Sequence, residues 1–287
     1  MGSYLPNPAK PKRPLPAGSC DTHFHVMGPF DRFPLAPDAS YKPAGDAPKQ
    51  ALFRMHAHLG IQRGIVVQSA VHHFDNSAAA DLIAARPKDY KGVALVPPSV
   101  SDSELRKLDG QGFVGARFHY MKLAHIGAHT PVEDVLSLAK RLAPLGWHLQ
   151  IHLDATLLGE LAPALNRSPV PVVIDHMGRI DASKGIDDPA FKALLKFMGK
   201  NTHWVKVSGS ERASTQGAPW RDAVPFAKKL VAECGDRAVW GTDWPHPNLK
   251  EIPDDGMLAD LIEEMAPSEM ARTKLLVENP ARLYRFT

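Results

Sequence analysis

Two imidazoles two residues apart, in Asp21-Thr22-His23-Phe24-His25, carry the first chemical signal in this sequence. On an extended strand, residues i and i+2 share a face, so His23 and His25 would present both rings to one site. Further along stand His152 at the end of WHLQIH, Asp175-His176 at the end of VPVVIDH, and Asp243 in the run Gly241-Thr242-Asp243-Trp244-Pro245. Any one of these histidines alone is more often a hydrogen-bonded packing residue than a ligand. As a set they form a donor shell. The neutral imidazoles of His23, His25 and His152, with the carboxylate of Asp243, suit one divalent ion, zinc first, with a position left for water. Such an ion would lower the pKa of its bound water toward ~7. Asp243 could then accept the water's proton, and His176 could orient the water or stabilise a developing oxyanion.

A second group is cationic. Arg117 stands next to the end of VGARF, Lys122 follows in the loop, Arg179 follows His176, and Arg212 follows HWVKV. Guanidinium groups grip carboxylates and sulfonates through paired N–H donors, so arginines at one mouth imply an anionic substrate. Ordinary pairing with rim Asp or Glu is the alternative. His72 and His73, after the second strand, and His119, after the fourth, stand where they could line the same pocket. Spacing alone makes none of them a ligand. His56 and His58 fall in the first helix and are expected on its surface. His125 and His129 fall in the fourth loop, and His148 and His203 begin strands, away from the chemistry.

The elements that must position these residues alternate regularly. Short β-branched runs occupy 64–68, 92–96, 114–118, 147–152, 170–176, 203–207 and 238–240, with a weaker candidate over 19–25. Helical spacing fills 48–59, 76–85, 102–108, 132–142, 157–165, 189–198, 220–234 and 257–265. In VLSLAKRLAPL, for example, apolar positions recur three and four apart. Eight strand–helix pairs with no hairpin signal predict an α/β protein with a wholly parallel sheet, most economically a closed (β/α)₈ TIM-like barrel. In such a barrel the chemistry sits at the C-terminal strand ends. The ends of strands one, five, six and eight would therefore deliver His and Asp to one rim. Residues 1–18, rich in proline and lysine, predict an extended arm. The proline-rich stretch 28–48 predicts an ordered or closing loop, and 268–287 a helical extension. No repeat or linker divides residues 19–287, which read as one domain.

Composition excludes several other functions. The chain has 287 residues, 34 Lys and Arg against 31 Asp and Glu, and a net charge of +3. That is too balanced for a nucleic-acid footprint, and no basic block stands out. No run of ~18 apolar residues could span a membrane. The N-terminal residues have no apolar core of the secretion-signal kind. Cys20 and Cys234 cannot make a disulfide framework, so a reduced, cytoplasmic protein is expected.

The motifs DTHFH, DHMGR and WGTDWPHPN (240–248), with Asp75-Asn76 and Asn279-Pro280 in similar contexts, resemble the amidohydrolase superfamily from about Cys20 to Tyr284. The WGTDWPHPN run is highly specific; a bare His-x-His is not. More narrowly, the sequence is similar to the branch of the 2-pyrone-4,6-dicarboxylate lactonases. That resemblance implies a distorted barrel that hydrolyses a lactone ester with water. It places the general base at Asp243, the family histidines at His23, His25 and His176, and substrate contacts at Tyr41, Arg117, Arg212 and Asn248. Three positions depart from the branch. Its lactonases work without a metal and carry a tyrosine where this chain has His152. A second arginine after Arg117 is Leu123 here, and a serine after strand two is Ala70. Each charge-assisted hydrogen bond is worth roughly 1.5–3 kcal/mol, enough for such losses to change substrate preference.

These departures resemble the sibling branch of 4-sulfomuconolactone hydrolases, zinc-containing relatives that act on a sulfonated lactone. The resulting expectation is metal-assisted hydrolysis of a small anionic lactone from aromatic-compound degradation, with Zn²⁺ at the rim. The alternatives are a metal-independent pyrone dicarboxylate lactonase with histidines polarising the carbonyl, a lactone isomerase, a metal-dependent decarboxylase, and a barrel that only binds an anion or metal.

Overall fold

The computed structural model describes residues 3–39, 41–121 and 130–286. Eight strands appear: β1 (Cys20–Phe24), β2 (Arg63–Val67), β3 (Tyr90–Leu95), β4 (Phe113–Tyr120), β5 (His148–Leu153), β6 (Val172–Ile174), β7 (His203–Lys206) and β8 (Ala238–Val239). They pair in chain order, β1 to β8, and each pairing is parallel. The last seam is closed by chain just beyond β8. The Thr22 amide donates to the Trp240 carbonyl at 3.0 Å, the Asp243 amide to that of His23 at 2.7 Å, and the His25 amide to that of Trp244 at 2.7 Å. The fold is therefore the expected (β/α)₈ barrel.

Between the strands lie α1 (Lys49–Leu59), α2 (Ser77–Ala85), α3 (Asp102–Gly110), α4 (Val132–Leu142), α5 (Leu158–Leu165), α6 (Pro189–Met198), a one-turn α7 (Ser210–Ala213) and α8 (Val224–Cys234). Local signals explain their ends. Ser101 caps α3 by accepting from the Glu104 amide, and Gly60 ends α1 at φ +82°. The helix expected from residue 220 starts at Val224, because Trp220 takes a left-handed conformation at φ +56°. The helix expected over 257–265 is two shorter ones, Asp255–Asp260 and Ile262–Met265.

Strand alternation divides the core in two. Val66, Ala94, Ile151, Ile174 and Val205 belong to the larger cluster, which includes the helix residues Leu82, Leu138, Leu161, Leu194 and Leu230. Ile65, Val67, Val93, Val114, Val173 and Val239 form a smaller cluster inside the barrel, with Leu283 and Tyr284 of the C-terminal helices against it. Full burial of such side chains contributes about 1.5–3 kcal/mol each. The same alternation carries polar groups inward. On β5, Leu149, Ile151 and Leu153 join the outer cluster, so His148, Gln150 and His152 face the interior. On β7, Trp204 joins the inner cluster, and Lys206 shares its face.

His56 corrects the sequence expectation. It is 1% exposed, not on the surface, and bridges Asp21 Oδ2 (3.2 Å) and the Tyr90 hydroxyl (3.0 Å). A buried carboxylate behind β1 needs a partner, and α1 supplies it. The arm is held down along its length. Tyr4 packs on Trp244 with ring centroids 5.1 Å apart, His58 Nε2 lies 2.9 Å from the Pro8 carbonyl, and the Ala9 amide donates to Asp254. No described helix is long and apolar enough to cross a membrane.

Candidate active site

Asp243 is the centre of the rim. Its Oδ1 lies 3.3 Å from His25 Nε2, 3.6 Å from His23 Nε2 and 3.6 Å from His176 Nε2. Its Oδ2 lies 2.5 Å from the Arg212 guanidinium, which also donates to the Pro247 carbonyl. Local backbone shape makes this possible. Asp243 and His176 sit at φ +65° and +48°, a left-handed conformation that is costly for non-glycine residues and turns each chain sharply at its strand end. Gly241 permits close approach to β1, since a Cβ there would lie 2.5 Å from the His23 amide nitrogen.

Each histidine is oriented from behind. His25 Nδ1 lies 2.8 Å from the Val67 carbonyl, which can only accept, so Nδ1 carries a proton and Nε2 is the atom turned to the site. His176 Nδ1 pairs with the Ser208 hydroxyl at 3.0 Å. His23 Nδ1 lies 3.2 Å from both Lys206 Nζ and Asp175 Oδ1. Asp175 is a buried hub: its Oδ2 accepts from Arg117 Nε at 2.9 Å and from Gln150 Nε2 at 3.2 Å.

Burial and neighbouring charge fix the protonation states. Burial pushes His176 down to about 3, even beside Asp243. It likewise holds His152 well below the ordinary histidine range, with the Arg117 charge adding to the effect, and His23 too, with Lys206 adding. Burial would raise Asp243, but Arg212 and then His176 outweigh it and keep the carboxyl well below its usual range. At neutral pH the rim holds an ionised Asp243 carboxylate beside the neutral imidazoles of His23 and His176.

His23, His25, His176 and Asp243 are thus brought together. His152 is not in contact with Asp243. Its ring centroid is 5.6 Å from that of His176, and its Nδ1 lies 3.2 Å from His119 Nδ1. His152 Nε2 and His23 Nε2 are both buried without a hydrogen-bond partner among the described residues. His25 Nε2 and the Asp243 carboxylate oxygen face each other at 3.3 Å, and a proton or a metal cation between the two atoms would join them. The ligand atoms that lie close enough to one another for a metal ion are those of His23, His176 and Asp243, so His152 is not part of that group.

The arginines divide. Arg212 engages Asp243, and Arg117 engages Asp175 through Nε. Arg179 has Arg212, Asp243, Glu211 and Asp154 as its charged neighbours and forms no ion pair among the described residues. Tyr41 is partly buried, with its hydroxyl 3.9 Å from Met27 Sδ, and Asn248 is exposed at φ +65°. His72 pairs Nδ1 with the Pro34 carbonyl at 2.9 Å, which ties down the 28–48 loop. Lys122, Leu123, His125 and His129 lie outside the described residues.

Sequence spacing missed four contributors. Lys206, Gln150 and Ser208 support the histidines, and buried Glu211 lies 3.5 Å from Arg212 Nε. Strand parity, counted inward from Trp204 and His148, is the signal that could have found the first two.

Residues 20–286 match the family model described as Amidohydrolase. A 2-pyrone-4,6-dicarboxylate hydrolase of Comamonas testosteroni is 45% identical over 98% of this chain and 94% of its own length. A 4-sulfomuconolactone hydrolase of Hydrogenophaga intermedia is 34% identical, covering 94% of this chain and 89% of its own. Among solved structures, a probable 2-pyrone-4,6-dicarboxylic acid hydrolase of Acinetobacter baumannii, with citric acid bound, superposes with a TM-score of 0.82 at 26% identity. It covers 94% of this chain and 100% of its own.

Proposed function

The chain belongs to the amidohydrolase family, and on that premise we propose that it hydrolyses a small anionic lactone at the Asp243 rim. One observation carries this: the ionised Asp243 oxygen at the focus of three Nε2 atoms, with arginines beside it. Asp243 takes the proton of a water whose oxygen bonds to the lactone carbonyl carbon. His176 stands beside Asp243 Oδ1, where an imidazole N–H can stabilise the charge developing on the carbonyl oxygen, a role that His23 can share only when it holds no metal. The ring C–O bond then breaks, and the leaving oxygen recovers the proton that Asp243 holds, which gives a hydroxy acid or its keto tautomer. Arg117 and Arg179 fix the anionic substituents, with Tyr41, Asn248 and His72 around the mouth, so that the carbonyl meets the water.

The residues that would hold a zinc ion are His23, His25 and Asp243, by the chemistry of their donors and the contacts of both rings with the carboxylate. When bound, zinc supplies a lower pKa for water and polarises a carbonyl. With His152 in place of tyrosine and Leu123 in place of arginine, the substrate class we propose is a sulfonated unsaturated γ-lactone. A second reading, metal-free hydrolysis of a pyrone dicarboxylate, draws support from the greater likeness to the Comamonas hydrolase. Elemental analysis of purified protein, with a panel of sulfonated and dicarboxylated lactones, separates the two. Stoichiometric zinc and activity lost on chelation support the first. Turnover of the pyrone dicarboxylate by metal-free protein supports the second, and no ester hydrolysis across the panel overturns both.

A further inference from the structure

A chamber of about 660 Å³ lies beside the rim, between the N-terminal arm, the 41–44 segment and the chain after β8. Small-molecule sites typically measure about 300–1,000 Å³, so it has room for a ligand. Its walls are anchored. The Ser3 hydroxyl donates to the Gly45 carbonyl at 2.5 Å, and the Gly45 amide donates back to Ser3 Oγ at 2.9 Å. Further along the arm, the Ala9 amide donates to both oxygens of Asp254 at 3.0 Å. Between these ties, Leu5 and Pro6 line the chamber. Met27 pairs with Ala47 through backbone hydrogen bonds of 3.0 and 2.8 Å, which holds the segment that carries Tyr41. With Met27, Pro43, Leu249 and Ile252 the lining is largely apolar. A solvent-open apolar hollow of this size marks a binding site.

The chamber adjoins the chemistry through residues already placed at the mouth. Tyr41 lines it, and the charges of Asp243, Arg212 and Arg117 reach the same side chain. Asn248 lines it too, and the carbonyl of its neighbour Pro247 accepts from Arg212 at 2.9 Å. We propose that this chamber is a specificity subsite of the lactone site, which takes an apolar substituent, an alkyl chain or hydrocarbon ring, carried by the lactone. The arm forms its outer wall. Continuity with the rim through Tyr41 and Asn248 argues for a part of the substrate rather than a separate ligand. The chamber's charged residues, Lys42, Lys250 and Glu251, are all exposed, so the anionic group of the substrate stays with the rim arginines and hydrocarbon fills the chamber. A substituent held equally in the ground and transition states lowers KM without raising kcat.

The proposal rests on the lactone-hydrolysing reading of this rim, but its first test does not need turnover. Calorimetry with the full-length protein uses tetrahydrofuran carboxylates, which cannot be hydrolysed, bearing hydrogen, methyl, propyl or pentyl on the ring. Affinity should rise about threefold to fourfold per added methylene until the chamber is full. Equal affinity across the series overturns the proposal. Leu249→Trp fills the chamber and should flatten the series while the unsubstituted ring binds within about twofold of wild type. Leu5→Ala, which keeps the proposal testable if the tryptophan variant misfolds, should weaken only the longer members, by roughly threefold to tenfold. A series that rises as steeply in both variants as in the wild type places the substituent elsewhere and overturns it. So does a dimer in sedimentation that Leu249→Trp converts to a monomer, because a second copy would then cover the chamber. With the best lactone of the panel and its alkylated homologues, KM should fall along the series with kcat within about twofold. A rising affinity series beside a panel with no turnover removes the lactonase reading and leaves the subsite standing.

Discussion

Arg212 places its guanidinium 2.5 Å from Asp243 Oδ2, while the opposite oxygen, Oδ1, faces three histidines. The carboxylate is thereby divided into a structural half and a chemical half. Arg212 is itself raised by Asp243 and Glu211 against the effect of burial, so its charge persists under any assay condition.

Arg212→Gln removes the main charge that holds Asp243 low. In the wild type the Asp243 pKa is depressed, so the ionised base persists as pH falls well below the ordinary carboxylate value of 3.8. The variant should shift the acid limb of kcat/KM to higher pH and lower its plateau by roughly 10²–10³-fold, the scale of a lost electrostatic contact in an active site. A pH–rate profile measured over short times checks both. An acid limb that stays where it is would show that Arg212 does not tune the base.

Asp243→Asn keeps the shape of the side chain and removes its basicity. Hydrolysis should drop by about 10²–10⁴-fold, the range of general base catalysis, with thermal stability largely retained. A variant that hydrolyses lactone at the wild-type rate assigns proton transfer to another group.

His148 offers a test away from the chemistry. Burial pushes it from 6.5 down to about 3, so between those values the unfolded chain binds a proton that the folded one does not. Stability from this group is complete above about 6.5 and is lost as pH falls toward about 3. The slope is about 1.4 kcal/mol per pH unit. In His148→Gln, urea-unfolding free energies at pH 7 and pH 5 should differ less than in the wild type. An unchanged difference would assign the acid sensitivity to other buried histidines.

Gly241→Ala would put a Cβ 2.5 Å from the His23 amide nitrogen and 2.8 Å from its Cβ. Since backbone must give way, a loss of about 1–3 kcal/mol is expected, as for overpacked cores. Activity should fall in the fraction that remains folded, because β1 and its histidines are displaced. Circular dichroism melts and rates normalised to folded protein check this; a variant with wild-type values for both removes the close approach as a constraint.

Much of this arrangement was present in the order of residues. Strand–helix alternation, at a period a parallel sheet requires, specified the barrel, and DTHFH, DHMGR and WGTDWPHPN fell at the ends of β1, β6 and β8. Local periodicity suffices there because a barrel places every strand end on one rim. What neighbours each side chain was decided only by the closed fold. Lys206 reaches the Thr22 carbonyl across 184 residues of sequence, and Thr242 reaches Asp21 across 221. Register irregularities in the β1–β2 and β3–β4 pairings also shift which residue faces inward. His56 looked like a surface residue because nothing near it in sequence shows that a buried Asp21 needs a partner. His152 was legible as a rim histidine, but its turn toward His119 was not. Hydrogen-bond partners, and with them tautomers and charge states, are set by contacts between strands far apart in sequence, which no spacing along one strand encodes.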